Sequence, residues 1–243
     1  MKKDLSVSVC LASYNGAMYL KQQLDSILQQ IRDGDEIIVS DDGSADGTLE
    51  LLMDYQKNYD NIWVVKGPKD GFSSNFGNAI LHANNDIIVF SDQDDIWCKN
   101  KIDLTCEVFS DSMVTTMLHA MATFRGNHLK DTGEINISYH SGVLRNFVKS
   151  CYWGCCMAVR REFVQRFLPF RKHCAGHDQL IGLMSEKYGK VVFIDQPLIW
   201  HRLHITNTSK PKTIKQMIDF RIALRKDYLF AKNIYNKSNV INR

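Results

Sequence analysis

The feature that most constrains this chain is an alternation, repeated four times between Leu5 and Phe109, of a short apolar run with a longer stretch of helical periodicity. Leu5, Val7, Val9 and Leu11 alternate with Ser6, Ser8, Cys10 and Ala12, the period-two pattern of a strand. Asn15-Gly16 then breaks the chain, and Leu20, Leu24, Ile27, Leu28 and Ile31 form a helical stripe that Asp33-Gly34-Asp35 ends. The pattern recurs as strand 36–40 and helix 48–59, strand 62–65 and helix 76–83, then strand 86–91 and helix 99–109. Such alternation predicts an α/β fold: a mostly parallel sheet flanked by helices, with right-handed crossovers. Ligands of these sheets bind beyond the carboxyl ends of the strands.

The second half is less regular. Residues 114–124 and 151–159 read as strands, separated by a looser polar stretch over 125–140. Residues 161–167 and 178–188 read as helices, and 191–200 as a last strand interrupted by Pro197. Without an internal repeat or a low-complexity linker, one compact body is expected rather than two.

Composition narrows the class. At 44% hydrophobic and 23% charged over 243 residues, disorder and collagen are excluded. A chain of this length buries roughly 70% of its unfolded surface and needs no disulfide or metal staple. The seven cysteines include no Cys-x-x-Cys spacing, so free thiols in a reducing cytoplasm are expected. Cys151, Cys155 and Cys156, or His173, Cys174 and His177, offer zinc ligand types, but neither group has a second half at zinc-finger distance. No run approaches the ~18–20 apolar residues of a spanning helix. Met-Lys-Lys-Asp imitates the start of a signal peptide, but strand alternation follows it instead of an apolar core.

Three strand ends are polar in a particular way. The first runs into Ser13-Tyr14-Asn15-Gly16, the second into Asp41-Asp42-Gly43-Ser44, and the fourth into Ser91-Asp92-Gln93-Asp94-Asp95-Ile96-Trp97. Neither Gly-x-Gly-x-x-Gly nor a phosphate-binding Gly-Lys loop follows any strand, which argues against a dinucleotide fold and a P-loop. Two carboxylates ~4 Å apart repel by about 4 kcal/mol at an effective dielectric of 20. Asp92, Asp94 and Asp95 therefore face water or bind a cation, and hard oxygen ligands suit Mg²⁺ or Mn²⁺ shared with a substrate's phosphates.

With Gly71-Phe72-x-x-Asn75-Phe76, Gly154-Cys155, His177-Asp178 and Arg202-x-His204-x-x-Asn207, these segments resemble the family 2 glycosyltransferases. They are closest to the rhamnosyltransferase-like branch of bacterial polysaccharide biosynthesis, which includes glucosyl- and galactosyltransferases. The resemblance covers roughly residues 5–209 and implies an inverting enzyme of the GT-A fold that uses a nucleotide-sugar donor. Carried over position by position, it implies that Ser13, Tyr14 and Asp42 hold a uridine or thymidine diphosphate. It puts Asp92 on the donor's ribose or sugar, Asp94 on the metal, and Arg202 and His204 on the diphosphate. Asp178 matches the family's catalytic base, and Trp153-Gly154 would meet the acceptor sugar. Many relatives carry an Arg-Asn pair where this chain has Phe76-Gly77, so Asn75 is the nucleotide contact expected instead. His177 stands where Glu is frequent, and its role and that of Asp95 stay open.

The expected function is transfer of a hexose or deoxyhexose from a UDP- or dTDP-sugar to a saccharide hydroxyl, the acceptor being polyprenyl-diphosphate-linked. O-antigen or capsule assembly on the inner face of the cell membrane would be its setting. Two alternatives remain: a non-catalytic nucleotide- or sugar-binding module, and a nucleotidyltransferase on a related sheet. The latter needs a basic loop after the first strand, where this chain has none.

Charge divides the chain. Residues 1–209 carry 21 Lys+Arg against 25 Asp+Glu, whereas 210–243 carry 9 against 2. An acidic body with a basic tail argues against a nucleic-acid binder. A catalytic domain over 1–209 and a basic amphipathic helical tail over 210–243 are expected. In the tail Ile214, Met217, Ile218, Ile222 and Leu229 follow helical spacing, with Lys215, Arg221, Arg225, Lys226 and Lys232 between them. Either that stripe packs on the body with the charges outward, or it lies on an anionic lipid surface.

Overall fold

The computed structural model describes residues 5–126, 132–135, 137–204 and 213–241. Asn207 and the 209/210 boundary lie outside them. The first half alternates β1 (Val7–Ser13), α1 (Ala17–Leu28), β2 (Glu36–Asp41), α2 (Thr48–Asn58), β3 (Ile62–Lys66), α3 (Phe72–His82) and β4 (Ile87–Ser91). After it come β5 (Ile96–Trp97), α4 (Lys101–Phe109), β6 (Thr116–Arg125), β7 (Thr132–Ile135) and α5 (Val143–Val148). The chain then forms β8 (Met157–Arg160), α6 (Arg161–Gln165), α7 (His177–Tyr188), β9 (Val191–Leu203) and α8 (Ile214–Ile241).

The sheet runs β3-β2-β1-β4-β8-β6-β9-β5, with β7 paired to β6. Its first four strands are parallel, as the alternation predicts. From β4 onward it is mixed: β8 is antiparallel to both β4 and β6, and β6 and β9 are again parallel. The period-two pattern of β1 separates large residues from small ones, not inside from outside. Ser8 and Cys10 are as buried as Val7 and Val9, so both faces of the strand are covered.

Several boundaries differ from the sequence reading for local reasons. Helix α3 begins at Phe72 because Gly71 takes a φ of +82° and accepts the Asn75 N–H at 3.0 Å. Residues 151–156 do not form a strand. There the Cys151 N–H donates to Asn146 Oδ1, and a 3-10 turn over Gly154–Cys156 bonds Cys156 N–H back to Trp153, so the ladder starts only at Met157. Pro197 does not interrupt β9, because the register against β6 shifts where Ala120 faces it and so absorbs the missing N–H.

Helix α8 packs on the body, but not through the stripe of Ile214, Met217, Ile218, Ile222 and Leu229. Leu224, Ala231 and Tyr235 pack inward, with Tyr235 stacked on Tyr188 at 4.3 Å between centroids. Fully buried Asp227 accepts from Arg171 Nε at 2.6 Å and from the Ala175 N–H at 2.8 Å. The stripe of Ile214, Met217, Ile218, Ile222 and Leu229 is the exposed side. Among the described residues no helix is long and apolar enough to cross a membrane.

Candidate active site

The ends of β1, β2 and β4 meet at one edge of the parallel half. Parallel pairing sets Ser13 opposite Asp41 and Leu11 opposite Ser91, so their following loops share a crevice. Asp41 is the inner carboxylate. It accepts from Ser13 Oγ at 2.8 Å, Ser44 Oγ at 2.6 Å, and the Gly43 and Ser44 N–H groups at 3.1 and 2.9 Å. Asp42 turns outward to the loop after β3 and accepts the Lys69 and Gly71 N–H groups.

Asn75 lies beneath these loops, 2% exposed. Its amide donates to the carbonyls of Ser13 and Ser40 and so pins β1 to β2. Gly67 makes room for it, since a Cβ there would sit 2.6 Å from Asn75 Oδ1 and 2.7 Å from the Asp41 carbonyl. Tyr14 is exposed at the rim, its backbone held by a two-way exchange with the Gln93 side chain. That exchange ties the β1 loop to the β4 loop.

The β4 loop carries the acidic cluster. One carboxylate oxygen each from Asp92, Asp94 and Asp95 lies within 4.8 Å of the others. Burial, then Asp95 and Asp94, push the Asp92 carboxyl up to about 8, and burial and Asp95 raise Asp94 as well. A divalent cation would relieve that like-charge crowding, and all-oxygen ligands suit Mg²⁺ or Mn²⁺. The residues present therefore fit such a metal.

The far end of β9 supports this loop from behind. His204 Nε2 lies 2.7 Å from Asp94 Oδ2, and its ring leans on Tyr19 at 4.7 Å. Asp95 is 1% exposed and accepts from His201 Nδ1 at 2.8 Å and from the Arg202 N–H at 3.2 Å. Burial alone would lower the His201 imidazole, but Asp95 and the Cys155 thiol outweigh it and push it up to about 12. Arg202 is itself buried, between the rings of Tyr19 and Phe124. Its guanidinium donates to the Asp94 carbonyl at 2.9 Å, to Gln22 Oε1 at 2.6 Å and to the Gly126 carbonyl. Under the cluster Lys101, also 1% exposed, donates to the Cys155 carbonyl at 3.0 Å and lies over the Trp97 ring at 4.3 Å. Burial lowers its pKa.

Asp178 approaches from the other side. It is the second residue of α7, and its Oδ1 accepts the Gln179 N–H at 2.8 Å. Its charge contributes to the upward shift of Asp92, which places the two carboxylates in one electrostatic environment. Gly154 lets the 3-10 turn approach: a Cβ there would lie 3.0 Å from His177 Nε2 and 3.7 Å from Asp178 Cβ. His177 is buried flat on Phe76 at 4.2 Å, and burial drives its pKa down to about 3. Trp153 is 37% exposed and lines a cleft of about 760 Å³ with Leu144, Arg145, Val148 and Lys149.

The fold thus gathers Ser13, Tyr14, Asp42, Asp92, Asp94, His204 and Asp178 around one crevice. Asn75 and Arg202 stand behind its walls, and Trp153 lines the neighbouring cleft. Of the residues not foreseen, Asp41 had a signal in Gly43-Ser44, whose N–H groups close an Asx-type turn on a preceding carboxylate. Gln93, Lys101 and His201 had none. Neither zinc set considered from the sequence is gathered among the described residues; Cys155 instead neighbours Asp95 and His201.

Residues 8–168 match the family described as "Glycosyl transferase family 2". The chain is 28% identical to the dTDP-rhamnosyl transferase RfbG of Shigella flexneri, over 81% of this chain and 72% of that protein. It is 25% identical to WfgD of Escherichia coli, named UDP-Glc:alpha-D-GlcNAc-diphosphoundecaprenol beta-1,3-glucosyltransferase, over 64% of this chain and 60% of that protein. The chain spans about two thirds or less of the length of most of the curated relatives it matches. S. aureus TarS 1–349 with UDP-GlcNAc superposes with a TM-score of 0.70 at 17% identity, over 95% of this chain and 70% of that one. PcManGT of Pyrobaculum calidifontis, a mannosyltransferase bound to GDP-Man and Mn²⁺, superposes at 0.62 and 15% identity, over 96% and 75%. These structures establish the GT-A fold.

Proposed function

The chain belongs to glycosyl transferase family 2, and from that premise we propose a metal-dependent inverting transfer of a hexose or deoxyhexose from a UDP- or dTDP-sugar. The acceptor is a hydroxyl of a polyprenyl-diphosphate-linked saccharide in surface-polysaccharide assembly, on the inner face of the membrane. The observation that carries the reading is the three-carboxylate cluster after β4, flanked by the β1 and β2 loops on one side and by Asp178 on the other. Two relatives support the donor and acceptor classes, one named as a dTDP-rhamnosyl transferase and one named for a diphosphoundecaprenol-linked saccharide.

The residues divide the work as follows. Tyr14 offers an exposed ring against which a base stacks, and Asp42 accepts from the base N–H. Ser13 and Asn75 act through the loops they hold. Asp94 would hold Mg²⁺ or Mn²⁺, which would supply Lewis-acid stabilisation of the leaving diphosphate, and Asp92 would face the donor's ribose or sugar. His204 and Arg202 fix Asp94, the first by its carboxylate and the second by its carbonyl. Asp178 takes the proton of the acceptor hydroxyl as the new bond forms, a contribution of ~10²–10⁴ in rate. Attack from that side, opposite the departing diphosphate, inverts the sugar carbon. Trp153 provides an aromatic face for the acceptor sugar, and Gly154 the space beside it.

Titration with UDP and dTDP, with and without Mn²⁺, tests the donor site: metal-dependent binding of either supports it, and no binding of both overturns it. A screen of nucleotide-sugars for slow hydrolysis then identifies the sugar. A chain that bound nucleotide but neither transferred nor hydrolysed any donor would instead be a binding module.

A further inference from the structure

We propose that the groove between α5, α7 and α8 holds the isoprenyl diphosphate end of the acceptor, an inference that rests on the transferase reading above. Helix α8 has two apolar sides, and the body uses one. On the other, Ile214, Ile218 and Ile222 recur at every fourth residue and are 73%, 54% and 52% exposed. Beside them, at the same spacing, run Met217, Arg221 and Arg225. With Phe147 and Val148 of α5 and Gln179 of α7 they line an open groove of about 730 Å³.

Scattered apolar exposure is ordinary, but a contiguous apolar groove marks a binding surface. Its composition points to one occupant. An apolar stripe takes an aliphatic chain, and the two arginines beside it take a diphosphate, whose oxygens match the guanidinium fork. Residues of three helices line the groove, so an occupant would touch α5 and α7 as well as α8.

Position adds a second argument. Gln179 directly follows the proposed base, and Arg221 Nη1 donates to its Oε1 at 2.7 Å. Phe220 faces the start of α7, where a Cβ on Gly176 would lie 3.3 Å from its ring. Val148 lines both this groove and the Trp153 cleft, so the two are neighbours. A saccharide in the Trp153 cleft would meet Asp178, while its lipid runs away from the base along α8.

The test uses the full chain and farnesyl diphosphate as probe, titrated calorimetrically with UDP and Mn²⁺ already saturating. Farnesyl diphosphate should still bind. Farnesol and inorganic diphosphate should each bind at least about tenfold more weakly, and the Ile218→Asn/Arg225→Gln variant should weaken the probe by about tenfold or more. Competition by UDP, indifference to the double variant, or no probe binding overturns the proposal. So does loss of binding to phosphatidylglycerol vesicles with probe binding kept, which would make the face a membrane-docking surface. The UDP titration on the same samples separates the two readings: intact UDP binding without probe binding overturns the groove alone, whereas absent UDP binding overturns the transferase.

Discussion

At the strand ends, Asp41, Asp95 and Arg202 are buried, and each is held by several hydrogen bonds from neighbouring loops. On α8, by contrast, large aliphatic side chains stand in the open while their helix is anchored from behind. The first region keeps polar groups away from water and holds most of them by hydrogen bonds, although among the described residues Asp95 Oδ2 has no partner; the second leaves apolar groups in water. Each departs from the usual sorting of residues, and the departures differ in kind. A hydrogen-bonded buried network fixes geometry, as a crevice for charged chemistry requires. An exposed apolar groove retains free energy that only a bound partner can collect.

The sharpest way to break this contrast is at Asp178, where the two regions meet. Asp178→Asn should lower transfer by ~10²–10⁴ while UDP binding, read by calorimetry, is unchanged; a wild-type rate would move the base elsewhere. Arg171→Ala would strand the buried Asp227 with its one remaining backbone donor. It should cost about 2–3 kcal/mol in urea unfolding, and no loss would mean that α8 is seated by its rings alone. His177 tests how far the polar region is satisfied, because among the described residues neither of its ring nitrogens has a partner. Its folded pKa of about 3 lies below the unfolded value of 6.5, so the unfolded chain binds the extra proton between those limits and stability falls as the pH drops through them. His177→Phe should remove about 1–2 kcal/mol of the stability difference between pH 7 and pH 5, and an unchanged acid profile would sink this account. Asp94→Asn should weaken Mn²⁺-dependent UDP binding by about tenfold and leave metal-free binding alone. Ile218→Asn sharpens the other side of the contrast: at an exposed position it should shift stability by no more than about 0.5 kcal/mol.

The strand ends were legible because their signals are local. An apolar run followed by Asp92-x-Asp94 names both the sheet and the place on it, and Asp42 follows its strand in the same way, whereas Asp178, at the start of a helix, is singled out only by the family resemblance. Which of Asp41 and Asp42 faces inward was not legible, since adjacent residues point to opposite faces and only the pairing with Ser13 decides between them. Arg202 shows a different limit. Its type suggested phosphate, yet β9 carries it behind the acidic loop, where carbonyls and two rings surround it. The tail's apolar stripe follows helical spacing, and of its two readings the structure overturns only the packing of that stripe on the body. Periodicity says that a helix has a side, and cannot say which of two sides the body takes.

Lys101 extends the argument to substitution. Its ammonium sits under the acidic loop with a carbonyl, an indole face and almost no water, and burial already favours release of its proton. Arginine keeps its charge at any pH a protein survives, and its fork is wider. Replacing lysine by arginine, the mildest exchange on most similarity scales, would here force a wider guanidinium into a space fitted to a single ammonium between a carbonyl and an indole face.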